Sequence, residues 1–161
     1  MIVTRSHPYR EPLPVLTRQD GVLRYVRSRY ARFHTDLGGT FDGYLAKFSA
    51  KSRSTLRRKV RKFAELGEGC RMREFRRPED METFLRLARQ VSVLTYQEKL
   101  LDAGIPGDPG YLRELTGLAA ADSVRAYILE LNGAPIAYLC CPATDGILFY
   151  GYLGYDPKHA A

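Results

Sequence analysis

The run from Asp122 to Pro157, DSVRAYILELNGAPIAYLCCPATDGILFYGYLGYDP, constrains the fold more than any other part of the chain. It holds three apolar segments, Val124 to Leu131, Ile136 to Cys141 and Ile147 to Tyr155, separated by Asn132-Gly133 and Asp145-Gly146. Those dipeptides tolerate the positive φ angles of a two-residue hairpin, so the pattern predicts three antiparallel strands in a meander. In the last strand, strict alternation sends Phe149, Gly151, Leu153 and Tyr155 to one face and Leu148, Tyr150, Tyr152 and Gly154 to the other. Neither set suits plain water. Helices from earlier in the chain must cover the sheet, which predicts a layered α/β domain rather than a β-sandwich.

The upstream sequence supplies helices for that purpose. Residues 1–39 read as a partly extended lead-in: three prolines fall between Met1 and Gly21, and Val22 to Val26 with Arg29 to Thr35 carry only a weak strand or hairpin signal before Gly38-Gly39. The domain itself is expected over residues 40–161. Thr40 caps a short helix, Phe41 to Phe48, and a second helix from Ser52 to Leu66 carries an apolar stripe of Leu56, Val60, Phe63 and Ala64. Gly67 and Gly69 end it, and Cys70 to Phe75 is the first strand of the main sheet. Pro78-Glu79-Asp80 opens a helix through Met81, Phe84, Leu85, Leu87, Ala88 and Val91, continued after a break by Val93 to Leu101. Asp108-Pro109 caps a last helix on Leu112, Leu115, Leu118 and Ala119.

Composition excludes several classes. No apolar run approaches the length of a membrane span, and the opening MIVTRSHPYREPLPVL lacks the apolar core of a secretory signal, so a cytoplasmic location is expected. Cys70, Cys140 and Cys141 have no metal-ligand spacing, and neighbours in a strand point to opposite faces, which reads as buried thiols. His7, His34 and His159 sit in no metal or triad context, and no metal is expected. The formal charge of +7 comes from 25 Lys and Arg against 18 Asp and Glu. Lys51 to Lys62, KSRSTLRRKVRK, holds seven bases and no acid, and outside it the charges balance. An excess confined to one segment points to an anionic partner more strongly than a diffuse one.

Four blocks together carry a family resemblance: SAKSRSTLRRKVRKF at Ser49 to Phe63, VSVLTYQEKLLDAGI at Val91 to Ile105, LELNGAPIAYL at Leu129 to Leu139, and YGYLGYDPKHA at Tyr150 to Ala160. In this order they resemble the GNAT superfamily of acyltransferases, in particular the FemAB-like group with its CelD-like proteins linked to bacterial cellulose biosynthesis. The resemblance covers about residues 40 to 161. It implies a mixed, largely antiparallel sheet with helices on both faces. It also implies acyl transfer from acetyl-CoA or another acyl-CoA to an amine of unspecified identity. In such folds the donor's pantetheine arm pairs with the backbone of the fourth strand, here Leu153, Gly154 and Tyr155, and a glycine-rich loop at the next helix N-terminus holds the pyrophosphate. No such loop follows Tyr155-Asp156-Pro157 in this sequence. The expectation is therefore the N-terminal part of a GNAT domain, incomplete at its C-terminal side and inactive alone.

Individual residues keep two readings. Asp156 and Tyr155 are the candidates for proton transfer, although Asp before Pro157 is also a favoured turn residue. Tyr150 and Tyr152 are either a floor for the substrates or core packing. Tyr96 and Gln97, with Glu98 after them, either line an acceptor groove or are exposed polar helix residues. The basic helix over residues 51–62 is either a solvated face or a phosphate-binding surface for nucleic acid, anionic lipid or an acidic substrate. As a non-enzymatic module, the chain would be a nucleic-acid binder built on that helix, with weak, salt-sensitive polyanion binding. The apolar last strand, with an unpaired edge, predicts self-association.

Overall fold

Three turns with positive φ set the strand plan. Asp20-Gly21, Asn132-Gly133 and Asp145-Gly146 have φ of 50° and 77°, 50° and 79°, and 52° and 72°. Each is the left-handed pair that a tight hairpin needs. The computed structural model describes residues 13–29, 33–36, 38–65, 67–101 and 103–159. The chain divides into two units, residues 1–49 and 50–161.

In the first unit β1 (Leu16–Gln19) and β2 (Val22–Tyr25) pair antiparallel around Asp20-Gly21. The sequence reading ran an extended lead-in through Gly21 and began its strand at Val22; the hairpin corrects it, and its turn carries the same dipeptide signal used later in the chain. Part of the weaker segment from Arg29 to Thr35 lies outside the described residues, and the described part forms no strand. Helix α1 (Phe41–Ala46) is capped by Thr40, whose hydroxyl accepts the Gly43 N–H at 3.1 Å.

The second unit runs α2 (Ala50–Ala64), β3 (Cys70–Phe75), α3 (Met81–Ser92), α4 (Tyr96–Leu101), α5 (Pro109–Ala120), β4 (Val124–Leu131), β5 (Ala134–Thr144), β6 (Ile147–Leu148) and β7 (Tyr152–Tyr155). The sheet order is β3-β4-β5, with β6 and β7 both beside β5, and every described pairing is antiparallel. This is the layered, largely antiparallel α/β plan expected from the sequence. Asp108 caps α5, its Oδ1 accepting the N–H groups of Gly110 and Tyr111 at 2.8 and 3.1 Å.

The third strand of the meander is not continuous. Leu148 faces Ala143 whereas Tyr152 faces Cys140, so the register slips by one residue between them. Phe149 to Gly151 form the bulge. Gly151 permits it, because a Cβ there would lie 2.7 Å from the Cys140 carbonyl oxygen and 2.9 Å from Pro142 Cδ. Ala143 and Cys140 belong to opposite faces of β5, so Leu148 leaves the face that Tyr152 and Gly154 share. The strict alternation expected over Leu148 to Tyr155 therefore holds only within β7.

One sheet face is the core. Val124, Ala126 and Ile128 of β4, Tyr138 and Cys140 of β5, and Phe75 pack with Met81, Phe84, Ala88 and Val91 of α3 and with Leu115 and Ala119 of α5. Complete burial of a side chain such as Phe84 or Val91 contributes about 1.5–3 kcal/mol, and both are 0% exposed. Helices α3 and α5 both pack on this face. On the other face Met72, Leu153 and Tyr155 are 68%, 39% and 49% exposed. Helix α2 has no buried residue.

Candidate functional site

The break between α3 and α4 is organised by a hydroxyl at an apolar position. Leu85, Ala88 and Ser92 follow one another at helical spacing on the buried side of α3, and Ser92 is 0% exposed. A buried hydroxyl must find partners. The Ser92 hydroxyl donates to Glu98 Oε2 and accepts from the Ile105 N–H at 3.2 Å and the Tyr138 hydroxyl at 3.3 Å. Arg89 Nη1 donates to the same Glu98 oxygen at 2.7 Å and to the Ile105 carbonyl at 2.8 Å. Thr95, also buried, donates to the Ser92 carbonyl at 2.7 Å and accepts the Glu98 N–H at 3.3 Å. The Ser92 hydroxyl, and after it the Arg89 guanidinium, hold the Glu98 carboxyl below the ordinary glutamate range against the opposing effect of burial. Glu98 is an anion fixed toward the interior.

This network abuts β7. A Cβ on Gly154 would lie 2.5 Å from Tyr138 Cε1 and 2.8 Å from Thr95 Cγ2, so the glycine is what lets α4 and the Tyr138 ring close over the strand. Asp156 donates its N–H to the Ile136 carbonyl of β5 at 2.7 Å. By the alternation of an antiparallel ladder, Gly154 and Tyr152 also direct their peptide groups to β5, and Leu153 and Tyr155 direct theirs outward. Among the described residues no strand occupies that outer edge. A run of outward N–H and C=O groups suits an extended, amide-bearing ligand, which is the chemistry of a pantetheine arm.

The residues singled out from the sequence separate on this frame. Leu153 and Tyr155 offer backbone groups at the edge, whereas those of Gly154 are spent on β5 and its lack of a side chain is a packing requirement. The Tyr152 side chain turns to the core face and packs edge-on against Tyr111 at 5.6 Å, and the Tyr111 hydroxyl lies 3.9 Å from Cys140 Sγ. Burial, with the thiol beside it, raises the Tyr111 phenol well above its usual range. Tyr150 is 73% exposed, and Tyr96, which begins α4 next to Thr95, is 67% exposed. The Gln97 side chain lies outside the described residues. Asp156 Oδ1 accepts the Lys158 N–H at 3.0 Å, a turn contact. The sequence reading missed Arg89, Ser92, Thr95 and Tyr138; the one visible signal was a serine on an otherwise apolar helical stripe.

The acetyltransferase (GNAT) domain family matches this chain over residues 50–161. The chain belongs to this GNAT family. The match begins at the first residue of α2 and spans the whole second unit, so the basic helix and the β7 edge are parts of one GNAT domain. No curated protein matches the chain. Acyl transfer is the general activity of the GNAT family, and its fold agrees with the curled antiparallel sheet and packed helices described above.

Proposed function

We propose that this GNAT domain transfers an acyl group from acetyl-CoA or another acyl-CoA to an amine, and that it belongs to the FemAB-like, CelD-like branch. The observation that carries the reading is the open edge of β7, where Leu153 and Tyr155 turn their peptide groups away from the sheet. A bound thioester supplies the activated acyl carbon. The protein's share is to fix the donor arm by backbone hydrogen bonds, to seat the amine, and to receive the proton that the amine loses as the new amide forms and the thiolate leaves. Tyr155, half-exposed on the donor strand, and Asp156 beside it are the groups for that proton. Asp156 must first release its Lys158 contact. Tyr150 and Tyr96 provide exposed aromatic surface for the acceptor, with Gln97 next to Tyr96. The four sequence blocks support the branch assignment. A cytoplasmic location fits the CoA donor, and no described helix is long and apolar enough to cross a membrane.

The β7 edge holds only the neutral arm of such a donor. The deciding measurement is amide NMR during an acetyl-CoA titration. Shifts concentrated at Leu153 and Tyr155 support the reading, and shifts confined to α2 would move the donor's phosphates to the basic helix, where Arg53, Arg57 and Arg61 line one face, and overturn it. The same open edge is where two copies would pair, which light scattering against concentration tests.

A further inference from the structure

Helix α2 combines two properties that the acyltransferase reading does not use. All seven bases of the segment from Lys51 to Lys62 lie on it, and these account for the whole net charge of the chain. Its apolar stripe is also uncovered: Val60 is 61% and Leu56 37% exposed, and Phe63 is only partly buried. Arg53 and Lys59 flank the stripe on its two sides, and Arg53, Arg57, Arg58 and Arg61 line a shallow groove with Ala50 and Ser54. Arg53 and Arg57 also make other interactions, and Arg61 lies 3.9 Å from Glu65, so the surface charge rests most on Lys51, Arg58, Lys59 and Lys62.

We infer that α2 docks this domain on an anionic lipid surface, lying in the plane of the headgroups with Leu56, Val60 and Phe63 turned inward. A nucleic-acid backbone would satisfy the cations and leave the stripe in water, whereas a lipid interface takes both. Lys59 and Arg53 beside the stripe reach headgroup level while the apolar groups enter, and Lys51, Arg58 and Lys62, opposite the stripe by helical spacing, add longer-range attraction to the same surface. The segment from Lys51 to Lys62 holds no acid and hence no charge pattern to fix a register. That uniformity suits a fluid array of identical anions better than one defined protein partner.

The chain contains no tryptophan, so Val60→Trp introduces a single indole reporter at an exposed position. With the whole 161-residue chain, a blue shift and co-sedimentation are expected with vesicles of equal parts phosphatidylcholine and phosphatidylglycerol, and neither with phosphatidylcholine alone. Replacing Arg58, Lys59 and Lys62 by Gln is expected to weaken binding by at least about fivefold, since each basic residue near such a surface is worth roughly fivefold and Lys59 flanks the stripe. Leu56→Asp, which keeps every cation, is expected to abolish the blue shift, with circular dichroism checking that the fold persists. Unchanged emission with the mixed vesicles, insensitivity to Leu56→Asp, or displacement from vesicles by an equal phosphate concentration of duplex DNA would each overturn the inference, the last in favour of nucleic acid.

Discussion

Ser92→Ala removes one oxygen and disturbs three partners. The Ile105 N–H and the Tyr138 hydroxyl lose the Ser92 acceptor at a buried site, the Ile105 N–H keeping only its contact with Tyr138, and Glu98 loses a donor. A buried donor left unsatisfied costs about 1–3 kcal/mol, and the two bonds here, at 3.2 and 3.3 Å, belong at the lower end of that range. The hydrogen bond to the Glu98 carboxylate is charge-assisted and stronger, but Arg89 remains and the Glu98 side chain is 20% exposed, so part of it is recovered. The net expectation is a loss of about 3 kcal/mol, equivalent to roughly 10 °C in Tm for a domain of this size. Urea unfolding followed by circular dichroism measures it. The effect also has a pH signature. Because the folded Glu98 pKa is lowered, its stabilisation is present above the ordinary glutamate value of 4.5 and is lost as pH falls through the folded value. Removing the main cause of that lowering makes the gap between wild type and variant larger at neutral than at acid pH. A loss under about 1 kcal/mol at neutral pH, or a gap independent of pH, would refute the assignment of Ser92 as the centre of the network.

Gly154→Ala is expected to destabilise by about 1–3 kcal/mol, because its Cβ would press on two buried side chains, while Gly117→Ala, with open space around it, is expected to stabilise by about 0.5–1 kcal/mol; thermal melts of the pair compare them directly. Burial pushes the Cys140 thiol up to about 11 and raises that of Cys141, so a thiol reagent should modify Cys70 first and the adjacent pair only on unfolding; fast reaction of all three in the native protein would contradict the packing. Asp108→Ala removes the α5 cap and is expected to cost about 1 kcal/mol in chemical denaturation.

What the sequence made legible was whatever local chemistry decides. Asn132-Gly133 and Asp145-Gly146 mark their turns because few residues accept positive φ, and Cys70 to Phe75, Val124 to Leu131 and the Asp108 cap fall where pattern and capping put them. The same rule applied to Asp20-Gly21 finds the first hairpin. Features that depend on distant partners were not legible. Nothing local says that Arg89 reaches Glu98 across a helix break, or that Tyr138 finds Ser92 from another layer. Nor does the alternation of Ile147 to Tyr155 reveal its own interruption, since the cause is the close approach of Gly151 to the Cys140 carbonyl. At the candidate site, Leu153 and Tyr155 could be named from the resemblance, but the division of labour between them and Gly154 needed the hydrogen-bond direction fixed at Asp156.

The bulge at Phe149 to Gly151 means that this segment carries one residue more than a regular ladder needs. Deleting one residue there would let the strand run straight and keep both pairings, because Leu148 opposite Ala143 and Tyr152 opposite Cys140 then have the spacing of an unbroken ladder. Inserting one would leave a further residue unpaired. Substitutions at Phe149 or Tyr150 leave the phase untouched. Among descendants of this sequence, a loss of one residue between Leu148 and Tyr152 is therefore expected to be tolerated more readily than a gain.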